Sequence, residues 1–135
     1  MKELTMPAEH ENIPLIISFV EQELDRIGCP LKTKMQIDVA IDELYSNIAR
    51  YAYDDDHGQV TVVIEAEKKP PVVTISFLDE GKPFNPLDRS DPDVSLPARE
   101  RKIGGLGIFM VKKSMDDVSY EYRDGKNILT IRKTL

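Results

Sequence analysis

Apolar residues recur along this chain with a helical period in some stretches and as short strand-like runs in others. Over residues 12–27, Ile13, Ile16, Val20, Leu24 and Ile27 fall at steps of three and four, the spacing that gathers side chains on one face of an α-helix. Pro14 is acceptable in the first turn of such a helix, and Gly28 and Pro30 end it. A second helix is predicted over about residues 33–51, where Ile37, Ile41, Leu44 and Ile48 make one apolar stripe. Residues 59–66 and 72–78 then read as two strands of a hairpin, with Lys68-Lys69-Pro70-Pro71 as the turn. Residues 2–7 read as a first strand, and residues 118–123 and 127–132 as a last hairpin turning on Asp124-Gly125.

Between residues 79 and 103 the periodicity disappears, and Gly81, Pro83, Pro86, Pro92 and Pro97 punctuate the chain. Loops of this length inside compact domains are usually lids, binding loops or disordered segments. A short helix, about residues 105–113, follows it. The order β-α-α-β-β-loop-α-β-β implies an α+β two-layer sandwich, with helices on one face of a mostly antiparallel sheet. At 135 residues the chain is expected to form a single domain, residues 1–135, with a lid loop at about 80–104.

Charge and composition narrow the function. The formal net charge of −6 argues against a nucleic-acid partner, whose phosphates demand clustered Lys and Arg. No apolar run approaches the roughly 18 to 20 residues that span a bilayer. The N-terminus has no apolar signal core, and the single cysteine, Cys29, has no partner for an intrachain disulfide, so a cytoplasmic location is expected. Cys29 itself reads as a packing or loop residue rather than a nucleophile. Against the acidic balance, Arg99, Arg101, Lys102, Lys112 and Lys113 bracket a glycine cluster, which suits a small anionic ligand. His57 beside Asp54, Asp55 and Asp56 reads as a solvated acidic loop in preference to a metal site.

Three short motifs carry candidate chemistry. Glu43 and Asn47 are four residues apart on the second helix, hence one above the other at the rim of its apolar stripe. An amide oxygen there can ligate Mg²⁺, and a carboxylate one turn away can orient or deprotonate a nucleophile. Asp79 and Gly81 stand where a strand ends: the carboxylate can accept from an exocyclic amine, and the glycine lets the backbone approach a flat ring such as adenine. Gly104, Gly105, Leu106 and Gly107 open a helix, whose free N–H groups suit phosphate. The spacing is neither that of a Walker A loop nor that of a dinucleotide fold.

In this order and context the three motifs resemble the N box and the two glycine boxes of the GHKL, or Bergerat-fold, ATPase superfamily, over nearly the whole chain. Within it, the short length, the Asp79-x-Gly-x-Pro-Phe84 form and the run from Gly104 to Val118 resemble the anti-sigma regulatory serine/threonine kinases. That resemblance implies ATP and Mg²⁺ as ligands, Glu43 as general base, Asn47 as metal ligand, and Asp79 with Gly81 at the adenine. It also implies Gly104, Gly105, Leu106 and Gly107 at the phosphates, with Arg99 and Arg101 beside them. Its implied partners are a sigma factor and a STAS-domain anti-anti-sigma protein phosphorylated on serine, with a homodimer as the expected assembly. Tyr51 departs from the histidine many relatives carry. The alternative is a nucleotide-binding interaction module without kinase activity; a detached histidine-kinase catalytic domain fits less well, because neither histidine sits on a dimerisation helix.

Overall fold

The computed structural model describes residues 1–53, 58–87 and 106–135. Five strands, β1 (Lys2–Pro7), β2 (Gln59–Lys68), β3 (Pro71–Asp79), β4 (Asp117–Arg123) and β5 (Lys126–Thr134), form one sheet in the order β1-β2-β3-β5-β4. Every pairing among them is antiparallel. Three helices, α1 (Ile13–Arg26), α2 (Leu31–Tyr51) and α3 (Leu106–Ser114), supply the second layer, as the hydrophobic pattern implied.

The alternating face of the central strands and the apolar stripes of the helices meet in the core. Val60, Val62 and Ile64 of β2, Val73, Ile75 and Phe77 of β3, and Leu129 and Ile131 of β5 are buried against Ile16, Val20 and Leu24 of α1 and Ile37, Ile41, Leu44 and Ile48 of α2. Ile108, Val111 and Met115 bring α3 into the same cluster. The opposite face of the sheet is small and polar at its centre. There Thr5 and Thr61 share a hydrogen bond across β1 and β2 (2.8 Å), and Ser76 and Thr130 do so across β3 and β5 (2.9 Å).

Boundaries differ from the sequence reading where backbone geometry outweighs side-chain signals. α2 begins at Leu31 rather than near Thr33, because Pro30 at φ −60° and ψ 147° sets the chain's entry and no side chain caps the helix. A short 3-10 turn, His10–Asn12, precedes α1. The hairpin between β2 and β3 narrows to Lys69 and Pro70, so both strands run longer than the alternation alone suggested.

Tyr45, absent from the apolar stripe read in the sequence, is fully buried. Its hydroxyl reaches the carbonyl oxygens of Pro7 (3.0 Å) and Glu9 (2.6 Å), tethering α2 to the chain leaving β1. Glu23 is likewise buried, between Lys2 (2.7 Å) and Arg26 (3.0 Å). The hydrogen bond from Lys2 is the main cause that holds its carboxyl below the usual carboxylate range, and it fastens the edge strand to α1.

Candidate active site

Glu43 and Asn47 are half-buried, one turn apart on α2. The Asn47 side-chain nitrogen donates to the Glu43 carbonyl oxygen at 2.8 Å, which commits the nitrogen to the helix and leaves the amide oxygen as the group able to ligate a cation. Glu43 rests against α3: a Cβ built on Gly107 would stand 2.1 Å from its carboxyl carbon and 2.2 and 2.3 Å from its two oxygens. No side chain fits at residue 107 while Glu43 keeps this place. The carboxylate therefore lies beside the first turn of α3, where unpartnered N–H groups favour negative charge.

Asp79 closes β3 and is buried. Its Oδ1 accepts two hydrogen bonds of 2.9 Å, from the Gly81 N–H and from the side-chain nitrogen of Asn127. Burial pushes the Asp79 carboxyl up from its ordinary value, and these two donors pull it back. The segment beyond Asp79 is clamped onto the end of α2. Lys82 N–H donates to the Ala52 carbonyl oxygen at 2.9 Å, and a Cβ at Gly81 would fall 2.1 Å from that same oxygen. Glycine at residue 81 is thus a requirement of backbone approach. Nearby, the Tyr53 hydroxyl donates to Gln59 O (2.7 Å) and accepts from Glu80 N–H (2.8 Å). Tyr51 packs on Phe84 with ring centroids 5.1 Å apart.

Asn127 is a residue of the candidate site that motif reasoning missed. It faces Asp79 across the β3/β5 pair and is buried. Besides Asp79, its amide donates to Lys82 O (2.9 Å) and accepts from Phe84 N–H (3.1 Å) and from the Tyr120 hydroxyl. The available signal was its phase: Asn127, Leu129 and Ile131 share the inward-facing period of β5, so a polar side chain there enters the core and demands partners.

Asn47, Asp79, Phe84, Tyr120 and Asn127 line one narrow cleft between α2 and the sheet, with Glu43 one turn along α2 and Gly107 opposite Glu43. A wider hollow of about 720 Å³ also borders Asp79, along Glu3, Thr5, Tyr53, Thr61, Leu78 and Glu80. Most of its lining is polar, but it holds neither Glu43 nor Asn47, so breadth alone does not make it the better site. Arg99, Arg101, Gly104 and Gly105 lie outside the described residues, as do His57 and its acidic neighbours; Leu106 opens α3, but its side chain also lies outside them. Among the described residues no helix is long and apolar enough to cross a membrane.

This fold and this cleft define a class. Residues 6–133 match the histidine kinase-like ATPase domain, and the chain belongs to that family, whose members in general bind ATP with Mg²⁺. It is an α+β domain of the GHKL, or Bergerat, type, related to the anti-sigma factor kinases. Among particular relatives, the chain is 25% identical over 129 residues to the serine-protein kinase RsbW of Bacillus cereus (strain ATCC 10987 / NRS 248), covering 94% of this chain and 81% of that one. It is 26% identical over 136 residues to the RsbW of Bacillus mycoides (strain KBAB4), with the same coverage. The crystal structure of the RsbU and RsbW domains of Rv1364c from Mycobacterium tuberculosis superimposes with a TM-score of 0.64 at 16% identity. That match shows a shared fold, and it covers all of this chain and 33% of the larger protein.

Proposed function

We propose that this chain is a protein-serine kinase of a partner-switching system, which uses ATP to phosphorylate a STAS-domain antagonist and, in its alternative state, binds a sigma factor. The observation that carries the reading is the convergence of Asn47 and Asp79 on one cleft with Glu43 one turn away on the same helix. Relatives named serine-protein kinases support it.

The adenine would lie against Asp79. Both hydrogen bonds to that carboxylate fall on Oδ1, so Oδ2 would accept from the exocyclic amine, while Gly81 keeps side chains away from the ring. Among the described residues no three His, Cys, Asp or Glu side chains gather closely enough to hold a metal, so Mg²⁺ would be held by Asn47 together with the nucleotide's own phosphates. The ion, when bound, supplies neutralisation of charge on the transferring phosphoryl group. Glu43 would accept the proton of the incoming hydroxyl, and the half-burial of its carboxylate leaves it open to an acceptor. Gly104, Gly105, Leu106 and Gly107, with Arg99 and Arg101, would complete the phosphate side.

The test is transfer of labelled phosphate from Mg-ATP to a purified STAS-domain protein of the same organism, run beside thermal melts. Glu43→Ala should keep the melting shift given by Mg-ATP and lose transfer by 100-fold or more, on the order expected for removing a general base. Asn47→Ala should shrink the melting shift itself. Undiminished transfer by Glu43→Ala overturns the base assignment. A wild-type melting shift without any transfer favours the interaction module that lacks kinase activity.

A further inference from the structure

Leu31, Met35 and Val39 occupy successive turns of α2 and are 68, 59 and 61% exposed. They form one i, i+4 row, and the next two members of that row are Glu43 and Asn47. Side chains four apart on a helix sit one above the other, about 6 Å apart along the axis, so the apolar ridge runs for about 18 Å from Leu31 and ends on the Glu43 carboxylate. Across that carboxylate stands α3, where Gly107 abuts Glu43 and Met110, three residues further on, is 54% exposed. Glu43 is thus flanked by apolar surface on both helices, although the core stripe of α2 lies on its other side.

Resting on the kinase reading, we infer that this ridge is the docking surface for the phosphorylated protein, which lays an apolar helix or strand along Leu31, Met35 and Val39 and so delivers its acceptor hydroxyl to Glu43. A contiguous run of large apolar side chains in water marks an interaction site far better than scattered ones do. Continuity with the catalytic row selects this occupant, because a partner seated on the ridge reaches Glu43 without leaving the helix. Charge selects it too. Among the described residues the exposed neighbours along the ridge on α2 are of both signs, Lys32 and Asp42, which suits a protein surface. The ridge would supply binding that is separate from the chemistry, as remote contacts do when they position a reacting group.

The test compares steady-state phosphorylation of the same STAS-domain protein by the wild type, by the double variant Met35→Asp/Val39→Asp, and by Leu15→Asp. Leu15 is as exposed as Met35 but stands on α1, away from the row, and serves as the control. The double variant should raise the KM for the protein acceptor at least ten-fold, leave kcat at saturating acceptor within about two-fold, and keep the Mg-ATP melting shift. Leu15→Asp should behave as the wild type. The milder pair Met35→Gln/Val39→Thr should raise KM in the same direction and serves if the charged pair fails to fold. An acceptor KM within two-fold of the wild type overturns the inference while leaving the kinase reading intact. A wild-type dimer that becomes monomeric in the double variant, with KM unchanged, assigns the ridge to a second copy of the chain and also overturns it. A wild type that transfers nothing overturns the kinase reading, and this inference with it.

Discussion

The two sides of the cleft are built on opposite terms. Asp79 accepts from the Gly81 N–H and from the Asn127 side chain, which is itself held by the Phe84 N–H and the Lys82 carbonyl. Around Glu43 the structure offers close packing on Gly107 and a half-exposed carboxylate. On the proposed reading the contrast separates recognition, which benefits from a rigid polar corner, from chemistry, where a group must meet an incoming partner. A corner of this kind tolerates loss poorly, and a flank of this kind tolerates crowding poorly.

The largest effect should come from breaking the corner. Asn127→Ala strands Phe84 N–H and Lys82 O and leaves Asp79 with the Gly81 N–H alone, at a cost of about 3 kcal/mol or a melting decrease on the order of ten degrees. It should also abolish the shift given by Mg-ATP. A melt that scarcely moves would show that the network is ornamental.

Crowding the flank should cost less stability and more activity. In Gly107→Ala the new methyl collides with the Glu43 carboxylate. The carboxylate is the far end of a flexible side chain and should swing aside at a cost of about 1 kcal/mol or less, while transfer should fall by about 100-fold. Adding Glu43→Ala to the same chain should restore the melt without restoring transfer. Restored transfer in the double variant would contradict the role given to Glu43.

The smallest effect sharpens the comparison on the α1 side of α2. Asp38 Oδ1 is buried without a hydrogen-bond partner, and burial together with the nearby Glu21 charge pushes this carboxyl up to about 6, partly opposed by Lys34. The folded chain therefore holds the Asp38 proton more tightly than the unfolded chain does, and stability drains away as pH rises from about 4 through 6. Asp38→Asn should raise the melt above pH 6 by a few degrees at most, about 1 kcal/mol or less once solvent screening is allowed for. The gain should vanish below about pH 4, and melts across that range check the sign.

What was legible in the sequence follows from this division. The stripes of α1 and α2 and the runs of β2 and β3 announce the layers, because burial of one face imposes a period. Glu43, Asn47, Asp79 and Gly81 announce themselves as local motifs, and the structure brings Asn47 and Asp79 into one cleft. Asn127 and Tyr45 did not stand out, since their meaning depends on contacts 48 and 38 positions away. No spacing rule reaches that far; only strand order and helix placement bring such pairs together. Leu31, Met35 and Val39 were passed over for the converse reason, as their significance is their exposure rather than any contact.

The strand order also fixes a sequence of events in time. Because β5 inserts between β3 and β4, Asp79 meets Asn127 only in a pairing that this later strand completes. In chain order α1, α2 and the β2/β3 hairpin precede it, so a nascent chain carries Glu43, Asn47 and Asp79 while the corner is still open. The corner closes only when residues 126–134 have taken their place in the sheet.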